Sequence, residues 1–115
     1  MTKIYHNNRC GKSRGALDIL KAQNEDYEVI EYLKEPLNAQ EIEELLKMLG
    51  ISPITLIRKG ESVYKEFFKG KDLSDAEWIK AMADYPILIE RPIVVKNGKA
   101  VIGRPTELVS ELIKN

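Results

Sequence analysis

Cys10 is the residue of this chain that could do covalent chemistry, and it is the only cysteine among 115 residues. A thiolate is the reactive form, and the free N–H groups at a helix start stabilise it. A helix terminus supplies only about 0.3–1 kcal/mol, whereas lowering a thiol pKa from about 8.5 to about 6.5 requires about 2.7 kcal/mol. Other groups must supply the rest, and the nearby candidates are His6, Arg9, Lys12, Ser13 and Arg14.

The residues around this thiol leave three better-known motifs incomplete. Gly11-Lys12-Ser13 looks like the end of a nucleotide phosphate loop, but that loop requires a glycine where His6 stands. A low-molecular-weight phosphatase loop requires an arginine where Ala16 stands. A redox Cys-x-x-Cys pair requires a second cysteine where Ser13 stands. We therefore expect a nucleophilic thiol whose resolving thiol comes from another molecule.

The elements around Cys10 are predicted to form a βαβ unit. Lys3–His6 reads as a first strand, and apolar residues at helical spacing predict a helix from about Ser13 to Gln23. Tyr27–Tyr32 is rich in β-branched and aromatic residues and reads as a second strand. A helical crossover makes the two strands parallel, so Cys10 lies in the turn between a strand and a helix.

Helices are predicted for the middle of the chain. Asn38 followed by Glu41 is a capping-box signature, and the apolar stripe behind it ends at Gly50. Shorter helical pieces are predicted around residues 63–68 and from Ser74, where Glu77 completes a second capping box. Trp78 and the apolar stripe that contains Leu45 and Leu46 are assigned to the core.

A hairpin and a closing helix are predicted for the last quarter. The apolar runs Ile93–Val95 and Ala100–Ile102 flank Asn97-Gly98, a strong signal for a tight turn between antiparallel strands. Pro105 suits the first position of the closing helix. The predicted order is β-α-β, inserted helices, a β-β hairpin and a C-terminal α-helix, in a single α/β domain covering residues 1–115.

Composition excludes several classes of protein. One cysteine and one histidine do not suffice for an internal disulfide or a structural zinc site, so we expect no metal. The 18 basic and 18 acidic side chains cancel, which argues against a nucleic-acid partner, and no apolar run is long enough for a membrane span. A cytoplasmic location is the expectation. The net charge of zero is nonetheless the sum of basic and acidic blocks that alternate along the chain. The three basic blocks are residues 1–24, 50–71 and 91–115, and they contain Cys10, Arg58, and Arg91 with Arg104.

Four segments together resemble the ArsC family of glutaredoxin-linked arsenate reductases. Ile4-Tyr5-His6-Asn7-x-x-Cys10-Gly11-x-Ser13-Arg14 resembles the active-site segment of that family. The other three resemble its anion-arginine segments, and they are Leu56-Ile57-Arg58-Lys59, Ile87 to Val95 around Arg91-Pro92, and Gly103-Arg104-Pro105. The likeness therefore extends over nearly the whole chain.

The resemblance implies a thioredoxin-like fold and a redox activity centred on Cys10. It implies that Cys10 attacks arsenate, that His6 and Ser13 favour the thiolate, and that Pro92 is a cis-proline beside the site. The residues implied to hold the oxyanion are Arg58, Arg91 and Arg104. It also implies no bound cofactor, glutathione as co-substrate and glutaredoxin as partner, and we expect a monomer that reduces arsenate to arsenite in arsenic detoxification.

Two alternatives stay open at the level of sequence. Asn8, Arg9 and Lys12 differ from the Pro, Ala and Thr common in the family, which is compatible with a related thiol oxidoreductase of another substrate. The second alternative is an Spx-like regulator that binds RNA polymerase. Spx proteins typically carry Cys-x-x-Cys, and Ser13 argues against that interpretation.

Overall fold

The computed structural model describes residues 1–114 of the chain. These residues fall into two compact units, one formed by residues 1–35 and 91–114 and the other by residues 36–90. The single domain expected from the sequence stays a prediction. None of the helices within residues 1–114 is both long enough and apolar enough to span a lipid bilayer.

The first unit contains a four-stranded mixed sheet. Its strands are β1 (Thr2–Tyr5), β2 (Tyr27–Ile30), β3 (Ile93–Lys96) and β4 (Lys99–Ile102), arranged in the order β2-β1-β3-β4. Strand β1 pairs in parallel with β2, as the βαβ reading predicts, and antiparallel with β3. The pair β3–β4 is the predicted hairpin, with positive φ angles of 53° at Asn97 and 76° at Gly98.

Two helices complete the first unit. Helix α1 (Gly11–Ala22) connects β1 to β2, and the closing helix α5 (Glu107–Lys114) packs against both α1 and the hairpin. Their apolar faces and the sheet share one buried core, formed by Ile4, Ala16, Leu20, Val94, Val109 and Ile113. This core fixes the carboxyl end of β1 next to the start of α1, which is where Cys10 lies.

The prediction that Pro105 begins the closing helix is wrong. Helix α5 begins at Glu107, because the Arg104 N–H donates to the carbonyl of Ile102 (2.8 Å) and the chain is still turning there. The carbonyl of Pro105 then accepts from the Leu108 N–H (3.2 Å), which closes a tight turn ahead of the helix. Strand β2 ends two residues before the predicted boundary, and α1 begins two residues before its own.

The second unit is helical. It contains α2 (Ala39–Leu49), α3 (Ser62–Phe67), α4 (Asp75–Asp84) and two 3-10 helices, Pro53–Leu56 and Pro86–Leu88. Both predicted capping boxes are present, at the starts of α2 and α4, and the left-handed Gly50 (φ 69°) ends α2. Each 3-10 helix begins with proline and leads into one strand of an isolated antiparallel bridge between Ile57 and Ile89, which the sequence did not indicate.

Candidate active site

Cys10 is the N-cap residue of α1 and is partly exposed. The turn that carries it is organised by the buried Asn7. The carbonyl of Asn7 accepts from the Cys10 N–H (3.0 Å), and its side-chain Oδ1 accepts from the Arg9 N–H (3.0 Å). Its own N–H donates to Oγ of the fully buried Ser13 (3.1 Å). These bonds hold the thiol against the first turn of α1.

Arg104 brings a positive charge directly to the sulfur. Its Nη2 lies 3.3 Å from Sγ of Cys10, although the two residues are 94 positions apart in sequence. Its Nε donates to the carbonyl of Arg91 at 2.8 Å, so the guanidinium group is held from two sides. Arg91 is itself buried, and its side chain also hydrogen-bonds to the Cys10 thiol. The structure therefore brings Cys10, Arg91 and Arg104 together.

Gly103 allows the segment carrying Arg104 to pass close to Pro92. A Cβ atom at Gly103 would lie 2.9 Å from Cγ of Pro92 and 3.0 Å from Cγ2 of Val109, closer than a side chain permits. The Gly103 N–H donates to the carbonyl of Pro92 at 2.8 Å, and the peptide bond between Arg91 and Pro92 is cis. Glycine at this position thus sets the distance between the two arginine-bearing segments.

The surroundings of Cys10 favour its ionised form. Burial by itself raises the pKa of the thiol, but several other effects outweigh it. The main-chain N–H groups of Ser13 and Lys12, the hydrogen bond from Arg91 and the charge of Arg104 all lower that pKa. The net result is a Cys10 pKa below the ordinary value for cysteine. Two guanidinium groups therefore add to the effect of the helix start.

His6 and Ser13, the two residues expected to tune the thiolate, are both buried. Burial lowers the pKa of His6 below its ordinary value, more than the negative charge of Glu31 raises it. The buried ring is therefore neutral at pH 7, so it adds no positive charge that would stabilise the Cys10 thiolate. The Ser13 hydroxyl is engaged by Asn7, and it is the main-chain N–H of Ser13 that lowers the pKa of Cys10. Their role in tuning the thiolate stays a prediction.

Arg58 belongs to the second unit and is bound there by two carboxylates. Its Nη1 lies 3.4 Å from Oε1 of Glu90, and its Nε lies 3.7 Å from Oε1 of Glu61. Main-chain bonds explain this grouping, because the Arg58 N–H donates to the carbonyl of Leu88 (2.7 Å) in the short antiparallel bridge. All three side chains are partly buried. A role for Arg58 in holding an oxyanion stays a prediction.

Two residues of the site were missed by sequence reasoning. Asn7 was named only as a member of the segment that resembles the family, with no role of its own, whereas it organises the cysteine loop. Gly103 carried a usable signal, since a glycine directly before a charged residue and a proline often marks a close backbone approach.

Within residues 1–114 no group of three His, Cys, Asp or Glu side chains is placed to hold a metal ion.

A mixed sheet with a free cysteine at the start of its first helix defines the class, which is that of thioredoxin-like α/β proteins. The chain belongs to the ArsC family, whose family model matches residues 5–112. The fold class and the resemblance inferred from the sequence are therefore both confirmed.

Three relatives show how close the similarity is. The chain is 50% identical to the uncharacterized protein YfgD of Escherichia coli K12, covering 96% of this chain and 95% of that one. It is 38% identical to an arsenate reductase of Neisseria meningitidis serogroup B, covering 96% and 97%. An arsenate reductase structure from Vibrio cholerae superposes with a TM-score of 0.91 at 44% identity, covering 96% of this chain and 95% of the other.

Proposed function

We propose that this protein is an arsenate reductase in which Cys10 forms a covalent adduct with arsenic and outside thiols complete the reduction. The observation that carries the proposal is the 3.3 Å approach of Arg104 Nη2 to Cys10 Sγ. It pairs a nucleophile whose pKa is lowered with a cation that can neutralise an incoming oxyanion. The relatives named arsenate reductase, at 37–38% identity, support the choice of arsenate.

The first step forms a sulfur–arsenic bond. The Cys10 thiolate attacks As(V), and an As–O bond breaks while the oxygen leaves as water after taking up protons. Arsenic is still As(V) at this stage. Arg91 and Arg104 offset the negative charge of the oxyanion as it approaches a negatively charged sulfur. Arg58 joins this set by resemblance to the family, and its planar guanidinium fork suits a tetrahedral oxyanion.

The second step reduces arsenic. A glutathione thiolate attacks the Cys10 sulfur, so an S–S bond forms and the electron pair of the S–As bond leaves with arsenic as arsenite, As(III). Cys10 is then in a mixed disulfide with glutathione. Because the chain has no second cysteine, a further thiol, glutaredoxin or a second glutathione, must release Cys10. We place this cycle in the cytoplasm, in a monomer without a bound cofactor.

A coupled assay tests the proposal. Arsenate-dependent NADPH consumption is measured with glutathione, glutaredoxin and glutathione reductase, which report each oxidised glutathione formed. Wild-type protein should consume NADPH in proportion to arsenate, and Cys10→Ser should not. Turnover no faster than the Cys10→Ser background would overturn the proposal.

A thiol oxidoreductase of another substrate is the second candidate. It is supported by Asn8, Arg9 and Lys12, which differ from the residues common around the cysteine in the family. Intact-mass measurement separates the two functions. A glutathione adduct on Cys10 without any arsenate-dependent turnover would favour the second candidate. The Spx-like alternative has no supporting observation, and failure of the chain to recover RNA polymerase in a pull-down would remove it.

A further inference from the structure

The positively charged side chains of two residues next to Cys10 have no role in the site described above. Arg9 precedes Cys10 and Lys12 follows it by two positions, and both are exposed. Neither side chain has an ion-pair partner among residues 1–114. By contrast, the guanidinium groups that contact the sulfur, those of Arg91 and Arg104, come from the opposite end of the chain. Arg9 and Lys12 are therefore available to a molecule approaching from solvent.

The approach to the sulfur along this loop carries no opposing charge of its own. No acidic residue occurs in residues 1–17, and Asp18 is the first, on α1. Consecutive Cα atoms are about 3.8 Å apart, so the Cα atoms of Arg9 and Lys12 lie within about 8 Å of that of Cys10. This separation is comparable with the Debye length of about 10 Å at 0.1 M salt, so charges carried by these two residues are only partly screened from an ion that reaches the thiol.

The loop is also held in place, so the backbone that carries these two residues stays beside the thiol. The Arg9 N–H is bound by Oδ1 of Asn7 at 3.0 Å. The guanidinium group of Arg14 reaches back from α1 and donates from Nη1 to the carbonyl of Asn8 at 3.0 Å. Lys12 lies in the first turn of α1. Both cations are thus presented from ordered backbone rather than from a free chain end.

We propose that Arg9 and Lys12 recognise the carboxylates of the thiol donor and give Cys10 a preference for an anionic thiol of the glutathione type. This inference rests on the proposed function, because it assigns the second substrate of the same thiol. In this scheme arsenate is bound by the buried Arg91 and the partly buried Arg104, and the exposed cations guide the donor. In glutathione the carboxylates outnumber the ammonium groups, so the exposed cations attract it, whereas a neutral thiol gains nothing from them.

Thiol–disulfide exchange tests the preference without arsenate. The Cys10 thiolate attacks oxidised glutathione, an S–S bond to Cys10 forms, and one glutathione leaves as thiolate. The same reaction is run with neutral bis(2-hydroxyethyl) disulfide, and intact mass follows both rates. For each protein, the rate with oxidised glutathione is divided by the rate with the neutral disulfide. This ratio is compared with the same ratio for a cysteine peptide. A change in thiolate content affects both rates equally and cancels in this ratio.

The matched variants remove two positive charges at different places. Arg9→Gln with Lys12→Gln changes the proposed recognition site. Lys99→Gln with Lys114→Gln removes the same charge from exposed residues at the hairpin end of the sheet, where Lys96 bonds to the end of α5. We expect the wild-type ratio at low salt to exceed that of the first double variant by about fivefold, and to converge on it near 1 M salt. The second double variant should keep the wild-type ratio.

Two results would overturn the inference. One is a wild-type ratio equal to that of the cysteine peptide, and the other is an Arg9→Gln/Lys12→Gln variant with the wild-type ratio. Neither result bears on arsenate turnover, which the coupled assay measures separately. Conversely, absence of arsenate turnover leaves the exchange ratio measurable, so failure of the proposed function and failure of the donor preference are distinguishable.

Discussion

Replacing Arg104 by methionine isolates the contribution of its charge to the reactivity of Cys10. Methionine keeps an unbranched chain and removes the guanidinium group that lies 3.3 Å from the sulfur. A hydrogen bond to a charged group contributes about 1.5–3 kcal/mol when well shielded. Because Cys10 is partly exposed, solvent screening reduces this to about 1 kcal/mol. That free energy corresponds to about a fivefold lower ratio of thiolate to thiol at a fixed pH.

Alkylation by iodoacetamide across a range of pH measures this ratio. Arg104→Met should shift the midpoint of the profile to higher pH and slow alkylation about fivefold below the midpoint. At high pH, where the thiol is fully ionised, the two rates should converge. Arg104→Lys should fall between wild type and Arg104→Met, since lysine keeps the charge but cannot donate to the sulfur and to the Arg91 carbonyl in the same fork.

The control for this experiment is Lys99→Met, which removes one charge from an exposed residue of the hairpin. It should leave the alkylation profile unchanged. An Arg104→Met profile that coincides with that of wild type would refute the reasoning, because a guanidinium group in contact with the thiolate would then contribute nothing to its formation.

Three further predictions follow from the packing and the protonation of the chain. Gly103→Ala forces Pro92 and Val109 apart, so urea denaturation should show a loss of about 1–3 kcal/mol, and the Cys10 alkylation midpoint should rise as Arg104 is displaced. Asn38→Ala removes the cap of α2 and should cost about 1 kcal/mol in the same assay, whereas the exposed Gln40→Ala should cost less. The free energy of unfolding should decrease as pH falls below 6.5, because unfolded His6 takes up a proton that the buried ring, with its lowered pKa, resists, and His6→Asn should flatten this dependence.

The elements predicted correctly from sequence are those specified by local interactions. The capping box of Asn38 and Glu41 closes within three residues, with bonds of 2.8 and 3.0 Å. The Asn97-Gly98 turn needs only the left-handed backbone that these two residues adopt readily. The βαβ unit follows from the spacing of its apolar residues and from the right-handed crossover by which a helix connects two parallel strands.

The features that sequence did not reveal depend on contacts between distant segments. Turns at Arg104 and Pro105 delay the start of α5 to Glu107, and they adjoin the close approach of Gly103 to Pro92, a contact between segments distant in sequence. The ion pairs of Arg58 with Glu61 and Glu90 form where Ile57 pairs with Ile89, and no periodicity predicts that bridge.

The candidate site was predictable in its residues more than in its geometry. Resemblance to the family pointed to Arg91 and Arg104, and the structure adds that both hydrogen-bond to Cys10. Burial of His6 could not be inferred from its place at a strand end, and that burial is what makes its ring neutral. The alternating charge blocks contain these arginines, but the blocks do not distinguish the buried Arg91 and the partly buried Arg104 from the exposed Arg9.

The pH profile of Cys10 alkylation in the wild-type protein tests the central claim most directly, since every proposed step begins with a thiolate. The reference is an unstructured cysteine peptide in the same buffer. We predict that the midpoint for Cys10 lies at lower pH than that of the peptide, because main-chain N–H groups, Arg91 and Arg104 together outweigh the effect of burial. A midpoint equal to or above that of the peptide would contradict the account.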